Sequence, residues 1–456
     1  MDDQRHIVRT PRLKRLAFAS GLLACSIAAS AETVDAPAQS DVPAVPVNSS
    51  AQSPDCRSYD AFLTRAEPVL RETPACETVF PELGGARAKL AENGWGFAAS
   101  STLGYAYDVL GHNESVQLYN GQSPTWNYSS QAMLTYDLSR IGFSPDAQFT
   151  VQGAWQGSNY RPAQPKYLTM QIFAITQSFL DHHLELQYGY FPVIRAYYGL
   201  ILGGNASAAA LGPSSVIPFQ IGVSAFAPTP TFNAKLWDPS KHFYNSFGVT
   251  RSVSPDGFLA DIDQNPTGFR LSVPGARALF IDEFGYKADS GPDTNSKWFR
   301  VGLIYNTSHY TDFKSGGVSS NNYGGYLAAT YQLYNPDGTA RGLYGDVKFD
   351  YAPSDRNLYT KDYQLTLFYL GPFKSRPGDM AAVGFTKNYF SEYVQSLVRS
   401  SGTTAAVGSA ALTASYAARV SRGVYAVTGL TYTKNPNFAP TRANALIFQE
   451  TLNLSF

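Results

Sequence analysis

From Gly96 to the last residue, Phe456, the sequence alternates with a period of two, and no apolar run approaches the ~18 residues of a spanning helix. In QAMLTYDLS, Ala132, Leu134, Tyr136 and Leu138 alternate with Met133, Thr135, Asp137 and Ser139. In QFTVQGAW, Phe149, Val151, Gly153 and Trp155 alternate with Gln148, Thr150, Gln152 and Ala154. LELQYGYF sets Leu184, Leu186, Tyr188 and Tyr190 against Glu185, Gln187 and Gly189, and LYGDVKFDY sets Leu343, Val347, Phe349 and Tyr351 against Asp346, Lys348 and Asp350. The ending QETLNLSF puts Phe448, Leu452, Leu454 and Phe456 on one parity and Gln449, Thr451, Asn453 and Ser455 on the other. Such a segment is a strand with one greasy and one polar face. Two architectures suit it: a soluble all-β protein, or a transmembrane barrel whose greasy face meets lipid.

Composition and turns favour the barrel. Charged residues make up 15% of the chain, against about 25% in an average soluble domain. The 30 Tyr and 28 Phe suit pleated surfaces and membrane interfaces. Balanced charge, 35 basic against 35 acidic residues, argues against a nucleic-acid partner. Tight-turn clusters stand at Ser144-Pro145-Asp146, Asp181-His182-His183, Ser254-Pro255-Asp256-Gly257, Ser290-Gly291-Pro292-Asp293, Asn335-Pro336-Asp337-Gly338, Arg376-Pro377-Gly378-Asp379 and Ser421-Arg422-Gly423. Most are roughly 40 residues apart, room for two ~10-residue strands and a longer loop. Seven short turns on one side imply about sixteen strands. Such a sheet must close, because lipid offers no partner to an open edge. The last strand is therefore expected to pair with the first, near Gly96 to Tyr107.

The N-terminus points out of the cytoplasm. Arg9, Arg12, Lys14 and Arg15 precede an apolar stretch ending in Ala29-Ser30-Ala31, the form of a secretory signal spanning 1–31. The alternative is lipoprotein processing at Cys25, after Leu22-Leu23-Ala24. Residues 32–55 read as a flexible Pro/Ala linker, 56–93 as a short helical periplasmic segment and 94–456 as the barrel. Cys56 and Cys76, in an exported chain, are candidates for a disulfide.

Several stretches carry a family likeness. FPELGGARAKLAENGWGF (with Gly85, Arg87 and Leu90), HLELQYGYFPV, FYLGPFKSRPGDMAAVGFTKNYFS (with Gly371, Pro372, Arg376, Pro377 and Asp379) and the final NALIFQETLNLSF resemble the carbohydrate-selective porins of the OprB family, over about Phe80 to Phe456. The resemblance implies a sixteen-stranded outer-membrane porin for the passive diffusion of neutral sugars, with no cofactor and no catalysis. The implied partners are sugars in transit, outer-membrane lipid, the barrel-assembly machinery reached through the Phe456 strand, and further copies in a homotrimer.

A porin selects by pore width and lining groups. The interval from His183 to Ser254 exceeds two strands and a loop, so part of it is a candidate for narrowing the pore. Its candidate solute contacts are Arg195, Tyr197, Tyr198, Asn205, Trp237 and Asp238; the competing reading is an extra hairpin plus an external loop. Glu185, Asp346 and Lys348, on the polar parity, join the lumen candidates, and their mixed signs suit uncharged solutes. The rival functions are a general diffusion or polysaccharide-secretion barrel and an outer-membrane enzyme. No G-x-S-x-G, H-E-x-x-H or P-loop occurs. His182-His183 read as turn residues, not metal ligands, and Asp261 with Asp263, or Asp282 with Glu283, as solvated carboxylates near turns.

Overall fold

The computed structural model describes residues 56–66, 72–164, 167–198, 216–225, 227–436 and 443–456; the expected signal and linker lie outside them. Sixteen strands form one closed antiparallel barrel. They are β1 (Trp95–Asp108), β2 (Thr125–Asp137), β3 (Gln148–Ser158), β4 (Tyr167–Phe179), β5 (Leu184–Phe191), β6 (Thr229–Trp237), β7 (Phe243–Arg251) and β8 (Ala278–Ala288). The second half is β9 (Lys297–Asn306), β10 (Asn322–Tyr334), β11 (Gly342–Tyr351), β12 (Tyr359–Leu370), β13 (Met380–Phe390), β14 (Gly408–Ser421), β15 (Val424–Lys434) and β16 (Ala445–Ser455). Each strand pairs with its neighbour in sequence. The ring shuts where β1 meets β16, from Ser100 opposite Ser455 to Asp108 opposite Ile447. Beyond the ladder, Phe456 N donates to Ala99 O at 2.7 Å and Ala99 N to Phe456 O at 3.0 Å.

Burial is inverted relative to a soluble fold. On β12, Leu365 is 50% exposed while the adjacent Thr366 is 4%. The same holds round the ring: Leu103, Trp126, Trp155, Phe247, Leu303 and Leu412 are exposed, whereas Thr102, Asn127, Gln152, Ser246, Asn306 and Thr413 are buried. An exterior this apolar is stable against hydrocarbon rather than water.

The loops fall on two sides. Seven short connections, the start of β1 and the end of β16 share one rim; the longer loops share the other, the arrangement of periplasmic turns and extracellular loops. Six of the seven turn clusters lie at the short-turn rim. Ser254-Pro255-Asp256-Gly257 does not: it lies in the long β7–β8 loop, where Gly257 (φ 102°) precedes a short helix, Phe258–Gln264. The missing turn is 238–242, between β6 and β7. Lacking glycine, it is organised by one carboxylate: Asp238 Oδ1 accepts from His242 N at 2.8 Å and Phe243 N at 3.0 Å, and Oδ2 from Ser240 Oγ at 2.5 Å. The wide interval after His183 therefore holds three strands, β5 to β7, and one long loop, 192–228.

The segment before β1 is tied to the short-turn rim. Cys56 and Cys76 are bonded, with Cα atoms 5.2 Å apart. Three 3₁₀ turns lead into α1 (Ala86–Glu92). The Phe62 carbonyl accepts from the lumen-facing Thr135 hydroxyl. Arg65 N donates to Gln148 Oε1 at 2.7 Å, Val79 N to Ser455 O at 2.9 Å, and Arg87 Nη1 to Phe97 O at 2.7 Å. Phe80 stacks on Phe456, ring centroids 6.3 Å apart. The terminal aromatic thus has a partner at the rim.

Two outcomes test this fold. Leu365→Arg should lower the stability of the barrel refolded in vesicles by about 2–4 kcal/mol in denaturant titrations; an unchanged midpoint would contradict a lipid-facing β12. Hydrogen bonding from Ser240, Phe243 and His242 pulls the Asp238 carboxyl down to about 2. The turn is therefore supported above the ordinary Asp range and loses that support as pH falls toward 2. An NMR titration of Asp238 should find a midpoint near 2; one near the ordinary value of ~3.9 would remove the carboxylate from this role.

Candidate functional site: an inward-folded loop and the lumen wall

The described parts of the β5–β6 connection, 192–198 and 216–225, pack inside the barrel. The connection's first turn, Val193–Arg195, and α2 (Val216–Ile221) bring Val193, Ile194, Tyr197, Tyr198, Ile217 and Ile221 against Leu279, Ile281, Ile304 and Tyr326 on the inner faces of β8 to β10. This lumen wall is greasy where most of the lumen is polar, which explains why the loop settles there. Tyr359, Phe390 and Val394, the last on the helix Glu392–Ser400, extend the same cluster.

Polar contacts fix the loop further. Tyr198 OH donates to Asp350 Oδ2 at 2.6 Å, and Tyr198 N donates to Glu283 Oε2 at 3.0 Å. Arg300 Nη1 reaches Tyr198 O at 3.3 Å, and the Tyr197 hydroxyl donates to Asn233. Asn306 Nδ2 and Tyr310 OH both donate to Ile221 O, at 2.6 and 2.8 Å. Glu283 also accepts from Tyr244 OH at 2.7 Å and Tyr326 OH at 2.5 Å. Glycines make room for these rings. A Cβ on Gly248 would sit 2.7 Å from Tyr197 Oη, and one on Gly302 would sit 2.0 Å from the Tyr326 ring.

The expected site residues separate into three groups. Tyr197, Tyr198, Asp346 and Lys348 come together: Lys348 Nζ lies 3.9 Å from Asp346 Oδ1 and 5.3 Å from the Tyr198 ring centroid. All four are buried, and Tyr198 and Lys348 meet where the loop rests on the wall. Arg195 is half-buried at the loop's first turn. Glu185, Trp237 and Asp238 lie apart, at the short-turn rim. There Trp237 Nε1 donates to Glu185 Oε1 at 3.0 Å, and Lys235 Nζ sits 4.4 Å over the indole. Asn205 lies outside the described residues.

The carboxylates read as solvated are also revised. Asp261 is buried and held bidentately by Arg251 at 2.7 and 3.2 Å, while Asp263 is exposed and paired with Arg161. Glu283 is mid-strand and faces inward; its neighbour Asp282 faces outward and accepts from Asn245 Nδ2 at 2.7 Å. His182 and His183 lie in the β4–β5 turn. Among the described residues, no group of three His, Cys, Asp or Glu side chains converges to hold a metal.

Sequence reading missed the facing wall. The inner faces of β2 to β4 carry Ser129, Gln131, Thr150, Gln152, Gln156 and Thr169, and none of these is charged. Gln152 Nε2 donates to Gln131 Oε1 at 2.8 Å, and Gln131 Nε2 to Ser100 Oγ at 3.0 Å. Among the described residues, Gln152 Oε1, Gln156 Nε2 and Thr150 Oγ1 find no protein partner. The signal was present in the even-numbered positions of QFTVQGAWQ, an uncharged hydrogen-bonding row.

Residues 129–456 match the family model described as carbohydrate-selective porin, OprB family. That match begins within β2, so the Gly85-x-Arg87-x-x-Leu90 stretch lies outside it. No curated protein matches the sequence. Among solved structures, the high-pH structure of Pseudomonas putida OprB aligns at TM-score 0.70 and 18% identity, covering 82% of this chain and 97% of that one. The low-pH structure of the same protein aligns at TM-score 0.52 and 16% identity, covering 83% and 98%. Salmonella typhi OmpF in complex with daunomycin aligns at TM-score 0.50 and 9% identity, covering 80% and 99%. At these identities the likeness is one of fold.

The anchoring predicts a channel phenotype. Tyr198→Phe leaves a buried Asp350 oxygen without its donor, a loss of about 1–3 kcal/mol, and Gly248→Ala displaces Tyr197. Both variants should show larger, noisier single-channel currents in planar bilayers than the parent. Parental traces from both would contradict a clamped loop.

Proposed function

The chain belongs to the OprB family of carbohydrate-selective porins and is a sugar porin of the Gram-negative outer membrane; from that premise we propose that it passes small neutral sugars between an uncharged lumen wall and an inward-clamped loop. The observation that carries this reading is the uncharged inward row on β3, where Thr150, Gln152 and Gln156 hold buried hydrogen-bonding atoms without protein partners. A sugar entering a narrow passage gives up water, and side chains of this kind replace the lost hydrogen bonds without adding charge. Amides and hydroxyls do so weakly enough to release the solute.

The burial of charge supports the same reading. Glu283, Asp350 and Lys348 are buried against Tyr198 of the loop, and Asp346 is buried beside Lys348. On this reading Arg195 is the charged loop residue closest to the solute's route. Trp237, with Glu185 and Lys235 around it, offers an aromatic face at the periplasmic rim. Pyranose C–H surfaces stack on such a face. The fold and family are those of a channel, and the reading assigns no bond-making step to any residue.

Liposome swelling tests the proposal. Glucose should enter faster than gluconate of similar size. Replacing Gln152 and Gln156 by Leu should slow glucose entry by roughly thirtyfold, the worth of two hydrogen bonds at ~1 kcal/mol each, with KCl conductance within about twofold of the parent. Unchanged glucose entry in that variant would remove the β3 wall from selectivity, and faster gluconate than glucose entry would overturn passage of neutral sugars.

A further inference from the structure

The outer surface of the barrel is not uniform. At the long-loop ends of β1 to β11, the outward-parity positions carry no lysine and, among the described residues, one arginine, Arg251, which is buried and paired with Asp261. On β12 to β15 this changes. Lys361, Lys387 and Lys434 all fall on the outward parity, alternating with lumen-facing Asp362, Asn388 and Thr431 further along the same strands. Lys387 and Lys434 share one register row, each opposite Ala410 of the intervening β14. That places them two strands apart, about 10 Å. Lys361 lies opposite Tyr389, two residues along β13 from Lys387.

The depth of these lysines follows from their neighbours. Tyr363, Tyr389 and Tyr432 surround them, and Lys387 Nζ lies 5.2 Å over the Tyr389 ring. Below come Leu365, Leu367, Val383, Phe385, Leu412 and Leu430, all exposed. The lysines therefore sit at the change from aliphatic to aromatic side chains, where hydrocarbon gives way to headgroups. An ammonium there extends its stem along the wall and places its charge among the headgroups.

No carboxylate answers them. Among the described residues none of the three forms an ion pair, and the β15–β16 loop, NPNFAPTRAN, contains no acidic residue. The outward carboxylate of this sector, Glu450, is in register with Thr428, some 20 Å down β15 from Lys434. Three uncompensated cations at the headgroup level are complementary to phosphate, for which lysine is a strong point-charge donor. We propose that Lys361, Lys387 and Lys434 form a docking site on the outside of β12 to β15 for a phosphate-bearing lipid of the outer leaflet. The site is separate from the lumen and does not depend on which solute passes.

Native mass spectrometry of the full barrel in neutral detergent tests it, with diphosphoryl lipid A as probe. The parent should bind lipid A at least about tenfold more tightly than K361Q/K387Q/K434Q, and binding should weaken as NaCl is raised. K361R/K387R/K434R should retain affinity, and both variants should keep the parental conductance. Dephosphorylated lipid A should compete poorly, as should inorganic phosphate, which lacks the acyl chains. Equal affinity of parent and glutamine variant, salt-independent binding, or equal competition by the dephosphorylated lipid would overturn the site. Displacement of lipid A by millimolar inorganic phosphate would replace a lipid site by one for free phosphate. If the glutamine variant fails to fold, the salt dependence and the competitors still decide the matter on the parent protein.

Discussion

Backbone hydrogen bonding in a medium without water governs this molecule. An unpaired N–H or C=O in hydrocarbon costs several kcal/mol, so a sheet that crosses a bilayer cannot keep an edge. The pairing of β1 with β16, continued by the reciprocal bonds of Ala99 and Phe456, is how this chain meets that demand. The rest follows from closure. With no edge and lipid outside, the outward parity must be apolar and the inward parity is left to polar groups. The segment ahead of β1 reinforces the seam, since Val79 bonds Ser455 and Phe80 stacks on Phe456.

Inside the ring, the same economy separates structural from functional polarity. A closed lumen invites a loop to enter, and the loop needs a wall that will hold it. The inner faces of β8 to β10 supply one, with Leu279, Ile281 and Ile304 as greasy ground and Glu283, Arg300 and Asp350 as hydrogen-bonding points. Those charges are then spoken for. The far wall, on β2 to β4, is built from amides and hydroxyls, some without protein partners. A neutral polyol is the class of solute that such a wall serves best.

Most of the barrel was legible because alternation is a direct print of which face meets lipid. The parities of Phe149 to Trp155 and Leu343 to Tyr351 agree with the burial of their strands, while every residue from Leu184 to Tyr190 is half-buried. Turns were less legible where their chemistry is side-chain based. Asp238 builds a turn with no glycine, and a Pro-Asp-Gly cluster at 255–257 introduces a helix in a long loop. The loop's anchoring could not be read, since it depends on contacts as distant as Tyr198 with Asp350 and on glycines such as Gly248 that leave space for a ring. Glu283 looked solvated because Asp282 stands beside it, yet successive strand residues face opposite media.

The central claim is that one face of these strands touches hydrocarbon and the other a wet lumen. A nitroxide scan along β13 in lipid vesicles, one cysteine at a time from Ala381 to Asn388, measures this most directly. Labels at 383, 385 and 387 should be accessible to oxygen dissolved in the bilayer, and labels at 382, 384 and 386 to a water-soluble nickel complex, with a period of two. A scan without that period, or one in which both faces meet the nickel complex, would contradict the account.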